Sequence, residues 1–148
     1  KINFIGLRFF TVYGPWGRPD MAYFSFTNNI IKNKTINVYN FGKMKRDFTY
    51  IDDIVDGVKK CLSKNYEFEI FNLGNSNTVQ LNYFIKTIEK ELNLKAKKNF
   101  LPMQMGDVTK TFADIRKAKK MLNFIPKTNI EDGIKNFIDW YKKYYNVK

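Results

Sequence analysis

Histidine is missing from this chain and cysteine nearly so: its 148 residues hold no His and one Cys, Cys61. Without His there is no imidazole-based catalytic triad and no zinc site built on imidazole. A single cysteine excludes an intrachain disulfide and a Cys-based metal site, so no metal is expected, and it fits a reducing, cytoplasmic setting. Acidic residues are scarce, 14 against 26 basic, for a net charge of +12. No apolar run approaches the roughly 18–20 residues that cross a bilayer, and nothing resembles a signal peptide. No membrane role is therefore expected. Repeats, low-complexity tracts and flexible linkers are lacking as well.

What is present is a globular composition, with 44% hydrophobic and 17% aromatic residues, in a length suited to one domain with a sizeable core. The positive charge raises the question of nucleic acid. Only 4 of the basic residues are Arg, and the lysines scatter over helix faces and ends (Lys59, Lys60, Lys86, Lys90, Lys119, Lys120, Lys142, Lys143). Sequence-reading proteins cluster their basic residues and use Arg forks. A solvated Lys-rich surface is the better reading, and no nucleic-acid partner is expected. Arg8, Arg18 and Arg46 all fall in the first third of the chain.

The pattern predicts a buried parallel strand over Ile2–Phe10 and a loop over Thr11–Asp20, broken by Gly14, Pro15, Gly17 and Pro19. It predicts a helix over Met21–Lys32, a strand over Thr35–Tyr39 and an extended segment over Lys45–Tyr50. A helix opening at Asp52 and Asp53 then buries Ile54, Val55, Val58 and Leu62. Phe68–Leu73 reads as a strand, and Asn77 with Gln80 as the capping pair of a helix burying Leu81, Phe84, Ile85, Ile88 and Leu92. Lys95–Leu101 extends again, and Asp114 caps a short helix through Leu122. Thr128 and Glu131 spell a capping box for a last helix packing Ile130, Ile134, Phe137, Ile138 and Tyr141. Tyr141 and Tyr144, among lysines, read as a solvated end rather than catalytic groups. The class is α/β, with too few strands for a complete doubly wound domain.

The run GLRFFTVYGPWGRPDM, Gly6–Met21, ends a buried strand in a Gly/Pro loop too irregular for core packing and places Arg18 there. A guanidinium fork matches carboxylate or phosphate bidentately. The sequence starts at Lys1, not Met, with little run-in before that strand, and reads as the second half of something larger.

That run, followed by INVYNFGKMKRDFTYIDDIVDGV, FNLGNS, LPMQMGDV and GIKNFIDWYKKYY, resembles the extended short-chain dehydrogenase/reductase superfamily. Within it, the likeness is closest to bacterial nucleotide-sugar epimerases, above all UDP-glucuronate 4-epimerases. The resemblance implies that residues 1–148 are the C-terminal, substrate-binding portion, the last Rossmann strands plus a small α/β domain. The NAD-binding half, with its Gly-rich turn, Ser/Thr and Tyr-x-x-x-Lys pair, would lie upstream. No Gly-x-x-Gly-x-x-Gly occurs here and no tyrosine precedes Lys in a matching context, so no catalytic residue is expected in this chain, and on its own it should be inactive. The implied cofactor is NAD, held mainly by the other half. The implied partner is a UDP-sugar, and the full-length enzyme is expected to be a homodimer.

By the same resemblance, Phe9 and Phe10 wall the nicotinamide, or else fill the core. Thr11 bonds the substrate, and Arg18 recognises the sugar carboxylate. Asn37 and Tyr39 sandwich the uracil, unless Tyr39 faces the core. Arg46 clamps the diphosphate, with Asp47 orienting it, and Asp107 accepts a ribose hydroxyl unless it caps a turn. Gln104 stands where galactose epimerases carry Arg, which leaves one fewer cation on the diphosphate, for which Lys45 or Lys110 could compensate, and counts against a galactose-epimerase assignment. The reaction implied is inversion at sugar C4 by transient oxidation. Rival readings are a nucleotide-sugar 4,6-dehydratase, a UDP-glucuronate decarboxylase, and a non-catalytic nucleotide-sugar-binding module.

Overall fold

Apolar residues at alternate positions of 35–39, and aliphatic stripes at helical spacing after residues 51, 81 and 130, favour strands alternating with helices. The computed structural model, which describes residues 2–147, has this α/β order. Lys1 and Lys148, the ends of the expected 1–148 unit, lie outside the described residues. The strands are β1 (Phe4–Phe9), β2 (Thr11–Tyr13), β3 (Thr35–Tyr39), β4 (Lys45–Arg46), β5 (Phe48–Tyr50), β6 (Phe68–Leu73), β7 (Val79–Gln80) and β8 (Lys97–Leu101). The helices are α1 (Ala22–Ile31), α2 (Ile51–Leu62), α3 (Leu81–Leu92), α4 (Arg116–Leu122) and α5 (Ile130–Tyr145).

The strands pair in twos. β1 runs parallel to β6, with Phe4 opposite Phe68 and Phe9 opposite Leu73. β2 runs parallel to β5, and β3 to β8 with Thr35 opposite Lys97. β4 and β7 are antiparallel. Parallel partners need a crossover, and helices lie between them in the chain each time. Two apolar cores result. One joins α1, α3 and α5 to β3 and β5 through Phe24, Phe84, Ile134 and Phe137. The other joins α2 and α4 to β6 through Ile54, Phe71, Leu122 and Phe124. Among the described residues no helix is long and apolar enough to cross a membrane, and no cluster of acidic, His or Cys side chains could hold a metal.

Several local expectations are corrected. Thr11–Tyr13, expected as loop, is strand, because Thr11 N–H reaches the Asp47 carbonyl and β5 is available as a partner. In α2, Val55 and Leu62 are exposed, and the buried face is Ile54, Gly57 and Cys61. Gly57 carries that face because a Cβ there would stand 2.8 Å from Leu73 Cδ1 and 3.0 Å from the Phe124 ring. Asn77 does not cap α3; its N-cap is Gln80, without a side-chain bond. The box of α5 is shifted one residue, with Asn129 Oδ1 accepting from Asp132 N–H at 2.8 Å and Asn129 Nδ2 donating back to Asp132. Glu131 instead receives the Tyr83 hydroxyl. Asp114 lies one residue ahead of the cap of α4 and accepts from Arg116 N–H at 3.1 Å. Tyr141 is buried, its hydroxyl donating to Asn28 Oδ1 at 3.1 Å, while Tyr144 is exposed.

Candidate functional site

Period-two alternation decides what β3 presents. Ile36 and Val38 are fully buried, so Asn37 and Tyr39 share the opposite face. That face borders a cavity of about 370 Å³. Thr11, Arg46 and Asp107 line it together with Asn37 and Tyr39, and Met21, Phe26 and Leu81 give it apolar walls. Tyr39 therefore does not face the core. Asn37 is braced from β8, where Asn99 Nδ2 donates to its Oδ1 at 3.1 Å.

Arg46 and Asp107 form the charged end. Arg46 Nη2 donates to Asp107 Oδ1 at 2.6 Å and Nη1 to the Lys45 carbonyl at 3.1 Å, with Arg46 19% and Asp107 31% exposed. Asp107 is carried by a turn in which its N–H reaches the Gln104 carbonyl, and Gly106 takes φ +81°, a region open to glycine. The chain beyond the turn is fastened to β4: Lys45 N–H donates to the Thr109 carbonyl and Thr111 N–H to the Lys45 carbonyl. Neither Lys45 nor Lys110 lines this cavity. Lys45 borders a different cleft, and the Lys110 ammonium sits 5.7 Å over the Phe112 ring.

Asp47 does not orient Arg46. It is wholly buried, and its carboxylate accepts from Asn75 N–H (2.7 Å), Ala113 N–H (2.9 Å) and the Thr49 hydroxyl (3.3 Å). Its own N–H donates to Thr111 Oγ1 at 3.0 Å. Asp47 is thus the knot that ties the strands beneath the cavity, a role no local pattern signals because its partners are loop amides far along the chain.

A second cavity, about 850 Å³, adjoins the first through the shared Thr11 and Met21. Phe9, Phe10 and Arg18 line it. Phe9 is 52% exposed at the end of β1, whereas Phe10 is half-buried against Gly74. Arg18 is exposed and grips Asp20 with two bonds, Nε to Oδ1 at 3.1 Å and Nη2 to Oδ2 at 2.7 Å. Those bonds hold the Asp20 carboxyl below its usual range. Tyr23 and Tyr50 border the same cavity, and burial pushes both phenols up. They stay protonated at neutral pH, so neither is set up as a base. Tyr39 and Lys43 have the Tyr-x-x-x-Lys spacing, but a strand end and a 3-10 turn with Phe41 at φ +51° separate them, so they share no helix face. Sequence reasoning missed Met21, Phe26, Trp16 and Asp52 as lining residues. Apolar spacing marks Met21 and Phe26 only as helix residues.

The geometry has close parallels. An uncharacterised protein of Methanocaldococcus jannaschii is 60% identical over 140 residues, covering 95% of this chain and 43% of that protein. UDP-glucuronate 4-epimerase 4 of Arabidopsis thaliana is 43% identical, over 98% of this chain and 37% of its own length. In space, the UDP-glucuronic acid 4-epimerase of Bacillus cereus, solved in complex with UDP-glucuronic acid and NAD, superposes with a TM-score of 0.88 at 37% identity. That match covers 94% of this chain and 45% of the other. The chain spans less than half the length of these relatives. The model of the NAD dependent epimerase/dehydratase family matches residues 1–74, half of the sequence and the part that builds β1, the Arg18 loop, β3 and Arg46. The chain belongs to the NAD dependent epimerase/dehydratase family.

Proposed function

We propose that this chain is the substrate-binding portion of a UDP-glucuronate 4-epimerase, a cytoplasmic enzyme whose NAD-binding half and acid/base residues precede it. One observation carries the reading: Thr11, Asn37, Tyr39, Arg46 and Asp107 meet in one cavity, and this opens at Thr11 onto the cavity of Phe9, Phe10 and Arg18. A nucleotide diphosphate joined to a sugar is a ligand with two such parts.

In this reading Tyr39 stacks on the uracil and Asn37 bonds its edge. Arg46 meets the diphosphate. A guanidinium has five N–H donors, and the Lys45 and Asp107 bonds leave others for an anion. Asp107 retains an oxygen for a ribose hydroxyl. Thr11 bonds the sugar between the two cavities, and Arg18, released from the exposed Asp20, takes the carboxylate. Holding the nucleotide fixes a remote handle and leaves binding energy for orienting the reacting ring. Arg18 holding the carboxylate also guards against decarboxylation beside a 4-keto centre.

The chain's residues fit NAD as one wall. Phe9 offers an exposed apolar ring at the end of a parallel strand, and the sequence holds no Gly-rich pyrophosphate turn. NAD, when bound, supplies the transient oxidation and re-reduction at the sugar carbon. The test is turnover by the full-length protein. UDP-glucuronate should convert to its C4 epimer, seen by proton NMR. Loss of carbon dioxide, loss of water from a hexose substrate, or binding without turnover would assign one of the rival activities instead.

A further inference from the structure

The loop from Gly14 to Asp20 is held from two sides. On the α1 side, the Gly14 N–H donates to the Tyr23 hydroxyl oxygen, which also crowds Gly17: a Cβ there would stand 1.5 Å from it. On the α5 side, the Trp16 ring lies 5.3 Å from Trp140 and 5.0 Å from Tyr144, the latter edge to face. Trp140 and Tyr144 stack on each other at 5.2 Å. To reach them Trp16 takes φ +63°, a left-handed conformation that bulky L residues rarely adopt. Burial does not explain it, because Trp16 remains 74% exposed. The rings it meets belong to the last turns of α5, which line neither cavity of the site.

Two residues beyond Trp16 stands Arg18, whose side chain pairs with Asp20, itself exposed and on the same loop. The direction in which Arg18 projects is therefore set by the loop backbone, and that backbone is set by Tyr23 and by the aromatic grip on Trp16. We infer that Trp16, held by Trp140 and Tyr144, is a positioning residue: it fixes the reach of Arg18 into the larger cavity, and so the preference for an acidic over a neutral sugar. The inference rests on the role of Arg18 proposed above. It makes the end of α5, which lines neither cavity, a determinant of specificity.

The experiment compares Trp16→Ala, Trp16→Phe, Tyr144→Ala and Arg18→Ala in the full-length enzyme. KM and kcat for UDP-glucuronate are measured, with calorimetric Kd for UDP and for UDP-glucose. Trp16→Ala and Tyr144→Ala should raise KM for UDP-glucuronate about tenfold, with Kd for UDP and UDP-glucose unchanged, and Trp16→Phe should restore most of the loss. If the alanine variants weaken UDP as much as UDP-glucuronate, the aromatic contacts serve the fold only and the inference fails. If they leave KM unchanged while Arg18→Ala raises it, the inference fails and the role of Arg18 stands. If Arg18→Ala changes nothing, the proposed carboxylate site is wrong, and the inference falls with it.

Discussion

Arg46 keeps 19% of its side chain exposed and is tied to Asp107, 61 residues along the chain, whereas Arg18 keeps 75% and is tied to Asp20, two residues away. The Arg46 pair stands over a buried knot at Asp47 and is braced by the β4 contacts of residues 109–111. The Arg18 pair stands on a loop in water, where an ion pair contributes little and is screened by salt. The difference suits a ligand with one invariant end and one that distinguishes it. In the proposed function, a partly desolvated, long-range pair would hold a guanidinium in one place for a nucleotide diphosphate. An exposed local pair would cost little to open for a sugar carboxylate.

Four measurements would break or sharpen that contrast. The largest effect should come from Asp47→Ala, which strands the amides of Asn75 and Ala113 in the interior. A loss of about 3 kcal/mol or more in urea unfolding is expected, while Asp20→Ala on the other loop leaves unfolding unchanged. Equal effects would erase the distinction between the two sites. Next, Arg46→Ala should weaken UDP binding roughly tenfold to a hundredfold, the range for hydrogen bonds to charged groups, read by titration calorimetry. Arg18→Ala should leave UDP affinity alone and lower the preference for UDP-glucuronate over UDP-glucose about tenfold; a drop in UDP affinity would place Arg18 on the diphosphate instead. The smallest effect is in the acid titration of Asp20. Its carboxyl is lowered from 3.8 by the Arg18 bonds, so the pair is intact above that value and opens as pH falls through the lowered one. Carbon-detected NMR should find the midpoint below 3.8 and see it return towards the normal range in Arg18→Ala.

The parts of this contrast that depend on local periodicity were legible in the sequence. The bounds of β3 and β6, and the buried stripe of α5, follow from alternation and from helical spacing of bulky residues. The loop holding Arg18 was legible from its glycines and prolines. Caps were less so: Thr128-x-x-Glu131 and Asn129-x-x-Asp132 are both plausible boxes, and only the helix start chooses between them. By spacing alone Gly57 interrupts the apolar stripe of α2, yet a side chain there would run into Leu73 of β6. Asp47 could not be read at all, because what it accepts are backbone amides at residues 75 and 113. The family motifs brought Arg46 and Asp107 forward as separate ligand contacts, and their pairing depends on how residues 109–111 return to β4.

Asp53 adds a consequence of another kind. It lies on α2, in the core shared with β6 and α4, but its carboxylate receives the amides of Lys127 and Thr128, at 3.1 and 3.0 Å, just before α5 enters the other core. Asp47 bridges in the same manner, from beside Phe48 of the first core to Ala113 near the second. Two apolar clusters that could melt in sequence are riveted by two buried carboxylates. Amide exchange should therefore show β5 and β6 opening together, as one cooperative unit rather than two.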